Sequence, residues 1–115
     1  MPDPSVLVAC LCAQWCGACR DYRRVFEQVG ERLAPARFVW IDVEDQAELV
    51  DPIDVVDFPT LLIAVGDEVR FFGVVAPLAG TLERLVQVRT GSADSATAAD
   101  PALAQLLRRL RASMY

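Results

Sequence analysis

The stretch CLCAQWCGACR, residues 10–20, contains all four cysteines of the chain. Cys16 and Cys19 form a C-x-x-C pair, while Cys10 and Cys12 lie just upstream with C-x-C spacing. Such a cluster is compatible with one four-thiolate metal site, or with a redox-active pair beside unrelated thiols. The elements on either side of the cysteines help to distinguish these two kinds of site.

A strand and a helix are predicted to meet within this stretch. Residues 6–12 are almost wholly apolar, as expected for a central strand that is covered on both faces. Residues 16–33 carry apolar side chains at helical spacing, which predicts an amphipathic helix that Pro35 ends. Residues 37–43 form the next β-prone segment, so strand, helix and strand imply a right-handed parallel crossover.

The remainder of the chain predicts a short helix, two strands and two longer helices. We expect the first four of these elements at residues 44–50, 60–65, 68–72 and 78–89, with a turn at Gly66-Asp67 between the strands. Residues 1–90 would then form one domain. Residues 91–100 are rich in small and polar side chains and are predicted to be a linker. Residues 101–115 carry a stripe of leucines and Met114, which predicts an amphipathic helix packed on that domain.

The composition of the chain disfavours some classes of function. A chain of 115 residues that is 54% hydrophobic is long enough for one domain with a real core. Its 11 basic and 16 acidic residues give a net charge of −5, which disfavours binding to nucleic acid or to an anionic membrane. There is no histidine, so a cysteine nucleophile must act without an imidazole base.

The chain also shows no targeting or membrane pattern. We expect the apolar residues 5–13 to be a buried strand and not a secretory signal, because they follow Met1-Pro2-Asp3-Pro4 without positive charge, and no stretch approaches the ~18 to 20 apolar residues of a membrane helix. We therefore expect a cytoplasmic protein. In a reducing compartment a C-x-x-C pair is more often catalytic or metal-binding than a structural bridge.

A C-x-x-C pair at a strand-to-helix junction in a β-α-β context is typical of redox proteins. Together with A-x-W-C-G-x-C-R at residues 13–20, the triplet Phe58-Pro59-Thr60 and the final hairpin and helix, it resembles the thioredoxin family over residues 6–89. The resemblance implies an α/β, thioredoxin-like fold, with a four-stranded mixed sheet flanked by helices. It also implies that Pro59 is cis and faces the cysteines.

The resemblance implies a thiol-disulfide oxidoreductase that reduces protein disulfides. Cys16 would be the nucleophile, because a helix N-terminus lowers the pKa of a thiol, and Cys19 would resolve the mixed disulfide. Residues that flank the pair would bind substrate: Trp15, Gly17, Ala18, Phe58, Pro59 and Thr60. No cofactor is expected, since electrons would come from an external reductase or from glutathione. The expected partners of this monomer are disulfide-containing proteins and a thioredoxin reductase.

A structural zinc site is the main alternative to a redox pair. Without histidine, its further ligands would be Cys10 and Cys12 or carboxylates. On a strand the Cβ atoms of Cys10 and Cys12 stand ~6.6 Å apart, and their thiols would have to leave the core to meet the helix. The same spacing is too wide for a disulfide between these two cysteines. We therefore expect no metal, and we interpret Cys10 and Cys12 as small buried hydrophobic residues in preference to a redox role, which is the alternative for both.

Two other functions stay open, because the chain departs from the family pattern. Cys10 occupies the position of a buried aspartate in thioredoxins, and Trp40 the position of its lysine partner. Cys12 replaces an aromatic residue, while Arg24 and Ala18 replace prolines. The alternatives are a glutaredoxin-type enzyme that uses glutathione and a non-catalytic module that binds peptides. The motif W-C-G-A-C differs from the C-P-Y-C that is usual in glutaredoxins.

Overall fold

The elements follow the predicted order and type within the residues that the computed structural model describes, which are 6–13, 17–33, 35–50, 58–91 and 101–113. The strands are β1 (Val6–Cys12), β2 (Arg37–Asp42), β3 (Thr60–Val65) and β4 (Glu68–Val74). The helices are α1 (Gly17–Arg32), α2 (Ala47–Val50), α3 (Ala79–Gly91) and α4 (Pro101–Ser113).

The strands form one mixed sheet in the order β2-β1-β3-β4. β1 and β2 are parallel and are connected through α1, whereas β3 runs antiparallel to both β1 and β4. This confirms the predicted four-stranded mixed sheet and its crossover. All of β1 is buried, because a strand without polar side chains is stable only where both of its faces are covered.

The side chains of β1 alternate between two apolar cores. One core lies against α1 and α3, and it receives the even-numbered side chains of the strand: Val6, Val8, Cys10 and Cys12. The other core lies against α4, and it receives Leu7, Ala9 and Leu11. Cys10 and Cys12 therefore share one face of the strand, as the alternation of a β-strand requires.

α4 covers the second face of the sheet. Its buried leucines pack in one cluster with β1 and its neighbouring strands: Leu103, Leu106, Leu107 and Leu110. Burying a leucine side chain contributes about 1.5 to 3 kcal/mol relative to leaving it exposed. The hydrophobic effect therefore accounts for the docking of α4 on the chain's own sheet. Met114, which was predicted to end the stripe, lies outside the described residues.

Several element ends differ from the predicted ones. β2 ends at Asp42, one residue early, because the Asp42 carboxylate accepts hydrogen bonds from the backbone N–H groups of Glu44 and Asp45 at 2.9 and 3.0 Å. This is a turn that an aspartate commonly forms. α3 runs on through Gly91, the first residue of the predicted linker. The rest of the linker, residues 92–100, lies outside the described ranges, so the two boundaries between the three predicted segments stay predictions.

Candidate active site

A disulfide joins Cys12, the last residue of β1, to Cys19 in the first turn of α1. Their Cα atoms lie 5.8 Å apart, a separation that is usual for bonded cysteines. The side chain of Cys12 is 0% exposed and that of Cys19 is 1% exposed. The bond therefore lies within the core between the sheet and α1, out of contact with solvent.

The disulfide corrects the interpretation of Cys12 as a small hydrophobic residue. For Cys12 the only disulfide partner considered was Cys10 on the same strand, which is too distant. Cys19 was paired with Cys16 at the start of the same helix. In the fold the first turn of α1 instead lies beside the end of β1, so residues seven apart in sequence come within bonding distance. Cys16 lies outside the described residues, and its assignment as the nucleophile stays a prediction.

Cys10 is a free, fully buried thiol on the same strand and face as Cys12. Burial raises its pKa far above the ordinary value for a thiol, because a thiolate loses its hydration in an apolar core. Cys10 pairs in register with Trp40 of β2. These two residues occupy the positions of the buried charged pair in thioredoxins, and they are neighbours here as well. Neither can act as a general base at neutral pH.

Tyr22 of α1 lies on the same core, and its buried hydroxyl has no hydrogen-bond partner among the residues that the structure describes. Burial raises the pKa of this hydroxyl, and the electrostatic effect of a Cys10 thiolate raises it further. On the face of the sheet behind Cys19, the Cys10 thiol and the Tyr22 hydroxyl are therefore strongly favoured in their neutral, protonated forms.

A cleft of about 230 Å³ opens beside Cys19, between α1 and the turn after β2. Arg23 lies over the ring of Trp40 at 5.5 Å from its centroid, a cation–π arrangement that forms one wall. Arg20 lines the same side, and the first turn of α1 contains no acidic residue. The side of α1 that faces the cleft therefore carries two arginines, of which Arg23 also pairs with Glu27 at 3.4 Å. Sequence reasoning missed this cleft, although R-x-x-R at helical spacing does place both arginines on one helix face.

The opposite wall of the cleft is polar and partly acidic. It contains Asp42 and Asp45 together with Gln46, whose side-chain carbonyl accepts a hydrogen bond from the Asp42 backbone N–H at 3.2 Å. A cleft with arginines on one wall and carboxylates on the other can bind peptide groups of either charge.

The predicted substrate-binding residues that the structure describes lie at one end of the sheet. Gly17 and Ala18 are exposed at the start of α1. The Phe58-Pro59 peptide bond is cis, as the family resemblance implied. Pro59 directly precedes Thr60, which pairs with Leu11, so the cis bond lies at the same end of β1 as Cys12. Phe58 is half-buried, while Pro59 and Thr60 are buried. Trp15 lies outside the described residues.

Neither a membrane-spanning helix nor a metal-binding cluster occurs within the described ranges. None of their helices is long and apolar enough to cross a membrane. In the same parts of the chain, no three side chains of His, Cys, Asp or Glu are grouped so that they could hold a metal ion. The expected absence of a metal stays a prediction, because Cys16 lies outside those ranges.

The thioredoxin family model matches residues 2–86 of the chain. Thioredoxin H2-1 of Oryza sativa subsp. japonica is 30% identical over 86 residues, which cover 74% of this chain and 62% of that protein. Putative thioredoxin 2 of Streptomyces coelicolor is 35% identical over 60 residues, or 52% of this chain and 44% of that protein. The chain thus spans less than two thirds of the length of these relatives.

Solved structures show the same fold. A point mutant of a thioredoxin from Halobacterium salinarum superposes with a TM-score of 0.67 at 27% identity, covering 78% of this chain and 79% of that one. The thioredoxin from Trypanosoma brucei brucei superposes with a TM-score of 0.67 at 24% identity, covering 80% of each chain. Both superpositions agree with the thioredoxin-like fold expected from the sequence.

Proposed function

We propose, on the premise that this chain belongs to the thioredoxin family, that it is a thiol-disulfide oxidoreductase that reduces protein disulfides. One observation carries the proposal: Cys19, the second cysteine of W-C-G-A-C, takes part in a disulfide at the start of α1. The sulfur of Cys19 is therefore placed where it can be bonded to a second cysteine, which supports disulfide chemistry at this position. A C-x-x-C pair at this point of a β-α-β unit is typical of dithiol-disulfide exchange.

In the proposed reaction Cys16 attacks the substrate. Cys16 directly precedes Gly17, the first residue of α1, and the positive end of a helix lowers the pKa of a thiol. The Cys16 thiolate displaces one substrate sulfur as a thiolate and forms a mixed disulfide with the other. Cys19 then attacks the Cys16 sulfur, which forms the Cys16–Cys19 bond and releases the second substrate thiolate. An external dithiol or glutathione returns the pair to its reduced form.

The substrate would bind along the end of the sheet that holds Pro59. The residue before Pro59 offers backbone groups to an extended substrate strand, which is a common way of binding peptides. Gly17 and Ala18 are exposed beside it and, with Trp15, would contact the substrate near the attacked bond. Since the side chain of Thr60 is only 4% exposed, we expect this residue to position the segment through its pairing with Leu11.

The test is reduction of insulin by the full chain, with NADPH and thioredoxin reductase in one assay and glutathione in another. We expect turnover with the reductase, and loss of turnover in Cys16→Ser and in Cys19→Ser. Cys19→Ser should accumulate a mixed disulfide through Cys16. Turnover with glutathione alone would favour the glutaredoxin-type alternative. Binding of peptides by Cys16→Ser, without turnover by the parent chain, would favour the peptide-binding module.

The proposed setting is a cytoplasmic monomer without a cofactor. Its partners would be disulfide-containing proteins, and a thioredoxin reductase is the proposed electron donor. The net charge of −5 supports the exclusion of nucleic acid and anionic membranes as partners. Gel filtration of the full chain tests the monomer, and the two reductant assays test the donor.

A further inference from the structure

We propose that Cys12 is a third redox residue of this site, and that Cys19 exchanges its disulfide between Cys16 and Cys12. The inference rests on the proposed function for the role of Cys16, and on the structure for the bond between Cys12 and Cys19. It assigns to Cys12 a part in the reaction that two-cysteine exchange does not include.

The packing of the two elements supports this role. Cys12 ends β1, and Cys19 lies in the first turn of α1 on the face that packs against that strand. Their Cα separation of 5.8 Å needs no opening of the fold. Cys19 can hold only one partner at a time, so an oxidised chain has two alternative disulfides that share its sulfur.

The exchange step balances without a further oxidant. The substrate disulfide first oxidises Cys16 and Cys19 to a disulfide and leaves as two thiols. The Cys12 thiol then loses its proton, and its sulfur attacks the Cys19 sulfur. The Cys12–Cys19 bond forms, the Cys16–Cys19 bond breaks, and Cys16 leaves as a thiolate. No electrons are gained or lost in this second step, since it only relocates the disulfide.

The surroundings of the two leaving groups give the exchange a direction. A thiol of low pKa leaves readily and is stable as a thiolate, which is the property that the proposed function assigns to Cys16. Burial disfavours a thiolate at Cys10 on the same strand face, so an unbonded Cys12 would be a neutral thiol and the gain in the exchange would come from release of the Cys16 thiolate. The same burial makes the attack by Cys12 slow, so the Cys16–Cys19 bond should form first and the Cys12–Cys19 bond later.

This pairing would protect the oxidised form. With both residues at or below 1% exposure, an external reductant cannot reach the Cys12–Cys19 bond directly. Reduction would have to proceed in reverse, by attack of Cys16 on Cys19. The oxidised chain would then carry Cys16 as a free thiol, whereas a two-cysteine enzyme would not.

Disulfide mapping of the full chain tests the proposal. The reduced chain is treated with one equivalent of diamide, sampled over time, quenched in acid, blocked with N-ethylmaleimide and cleaved with chymotrypsin. Cleavage after Leu11, Trp15 and Tyr22 separates residues 12–15 from residues 16–22. A Cys16–Cys19 bond leaves these peptides separate. A Cys12–Cys19 bond joins them, with the blocking group on Cys16.

We expect the separate peptides early and the joined peptides at equilibrium. Cys10→Ala is the matched control for Cys12→Ala, because both residues are fully buried on one face of β1. In glutathione buffers the equilibrium constant for oxidation should fall at least tenfold in Cys12→Ala. This corresponds to a change of about 30 mV in the reduction potential of a two-electron couple. The same constant should stay within about twofold of the parent value in Cys10→Ala.

Three results would overturn the proposal. In the first, the oxidised parent at equilibrium contains only the Cys16–Cys19 bond, and in the second, the Cys12–Cys19 bond forms only in Cys16→Ser. In the third, the equilibrium constants for oxidation of Cys12→Ala and Cys10→Ala are equal. The first result needs no variant and holds even if Cys12→Ala fails to fold. Failure of the proposed function is distinguishable, since a chain that forms both bonds but does not reduce insulin loses the enzyme assignment. A chain that reduces insulin without a Cys12–Cys19 bond loses only the inference.

Discussion

Arg111 of α4 donates two hydrogen bonds to the backbone carbonyl of Gly66, from Nε at 3.1 Å and from Nη2 at 2.8 Å. Gly66 forms the turn between β3 and β4 with a φ of 60°, a conformation that glycine adopts without strain. The guanidinium of Arg111 thus connects the C-terminal part of α4 to the far end of the sheet. The contact adds a directional bond to the non-directional burial of the leucines.

Replacing Arg111 by alanine should destabilise the docking of α4. A hydrogen bond to a charged donor contributes about 1.5 kcal/mol or more when it is buried, and somewhat less at this partly buried position. We expect the free energy of unfolding in urea to fall by about 1 kcal/mol. Arg108→Ala, an exposed arginine on the same helix, is the control and should change it by less than ~0.5 kcal/mol. Equal losses in the two variants would contradict the role of the Gly66 contact.

Leu106→Ala should remove part of the core beneath α4. Leu106 is 1% exposed, and truncating a buried leucine to alanine typically costs about 2 to 5 kcal/mol, so we expect a loss of about 3 kcal/mol. The neighbouring exposed residue provides the control, and Gln105→Ala should be nearly neutral. Chemical denaturation measures both. A neutral Leu106→Ala would mean that α4 leaves the sheet in solution.

Two glycine-to-alanine substitutions in helices should have opposite signs. A Cβ atom at Gly30 in α1 would lie 2.9 Å from Cγ of Phe38, and Phe38 is held against the ring of Phe26 at 5.1 Å. We expect Gly30→Ala to destabilise the chain by about 1 to 3 kcal/mol through overpacking. At Gly80 in α3 a Cβ atom would meet nothing within 4 Å, so Gly80→Ala should stabilise by up to ~1 kcal/mol. Melting temperatures that move in the same direction would refute the steric argument.

Alkaline pH should destabilise the chain partly through Cys10. Its pKa is raised in the folded state, so the folded chain retains a proton that the unfolded chain loses above about pH 9, the ordinary value for the thiol. The associated stability is fully present below that pH and is lost as the pH rises. Cys10→Ala should therefore lose stability less steeply than the parent, by up to about 1.4 kcal/mol per pH unit.

Urea unfolding between about pH 7 and pH 10.5, with short incubations to limit thiol exchange, measures this difference. Tyr22 contributes a similar loss above pH 10 in both proteins, so it largely cancels in the comparison. Parallel stability curves for the parent and Cys10→Ala would show that the thiol titrates normally in the fold.

Local chemistry was sufficient to predict most of the elements. β1 matches its predicted bounds because an unbroken apolar run has no stable place except the centre of a sheet. The turn at Gly66 and the stripe of α4 were predicted for similar reasons, since a positive φ favours glycine and a row of leucines must be covered. Where predictions missed an end, as at Asp42, a side-chain hydrogen bond in the turn decided it.

Residue type and periodicity were enough to predict the strands, the helices and the parallel crossover, with the cysteines at the junction of strand and helix, whereas the four-stranded mixed sheet was predicted from the family resemblance. The bond between Cys12 and Cys19 and the position of Arg23 over Trp40 beside it could be known only from the folded structure. Both contacts join separate elements across the core. Periodicity specifies which face of an element is buried, whereas the partner on that face depends on how strand and helix are placed in space.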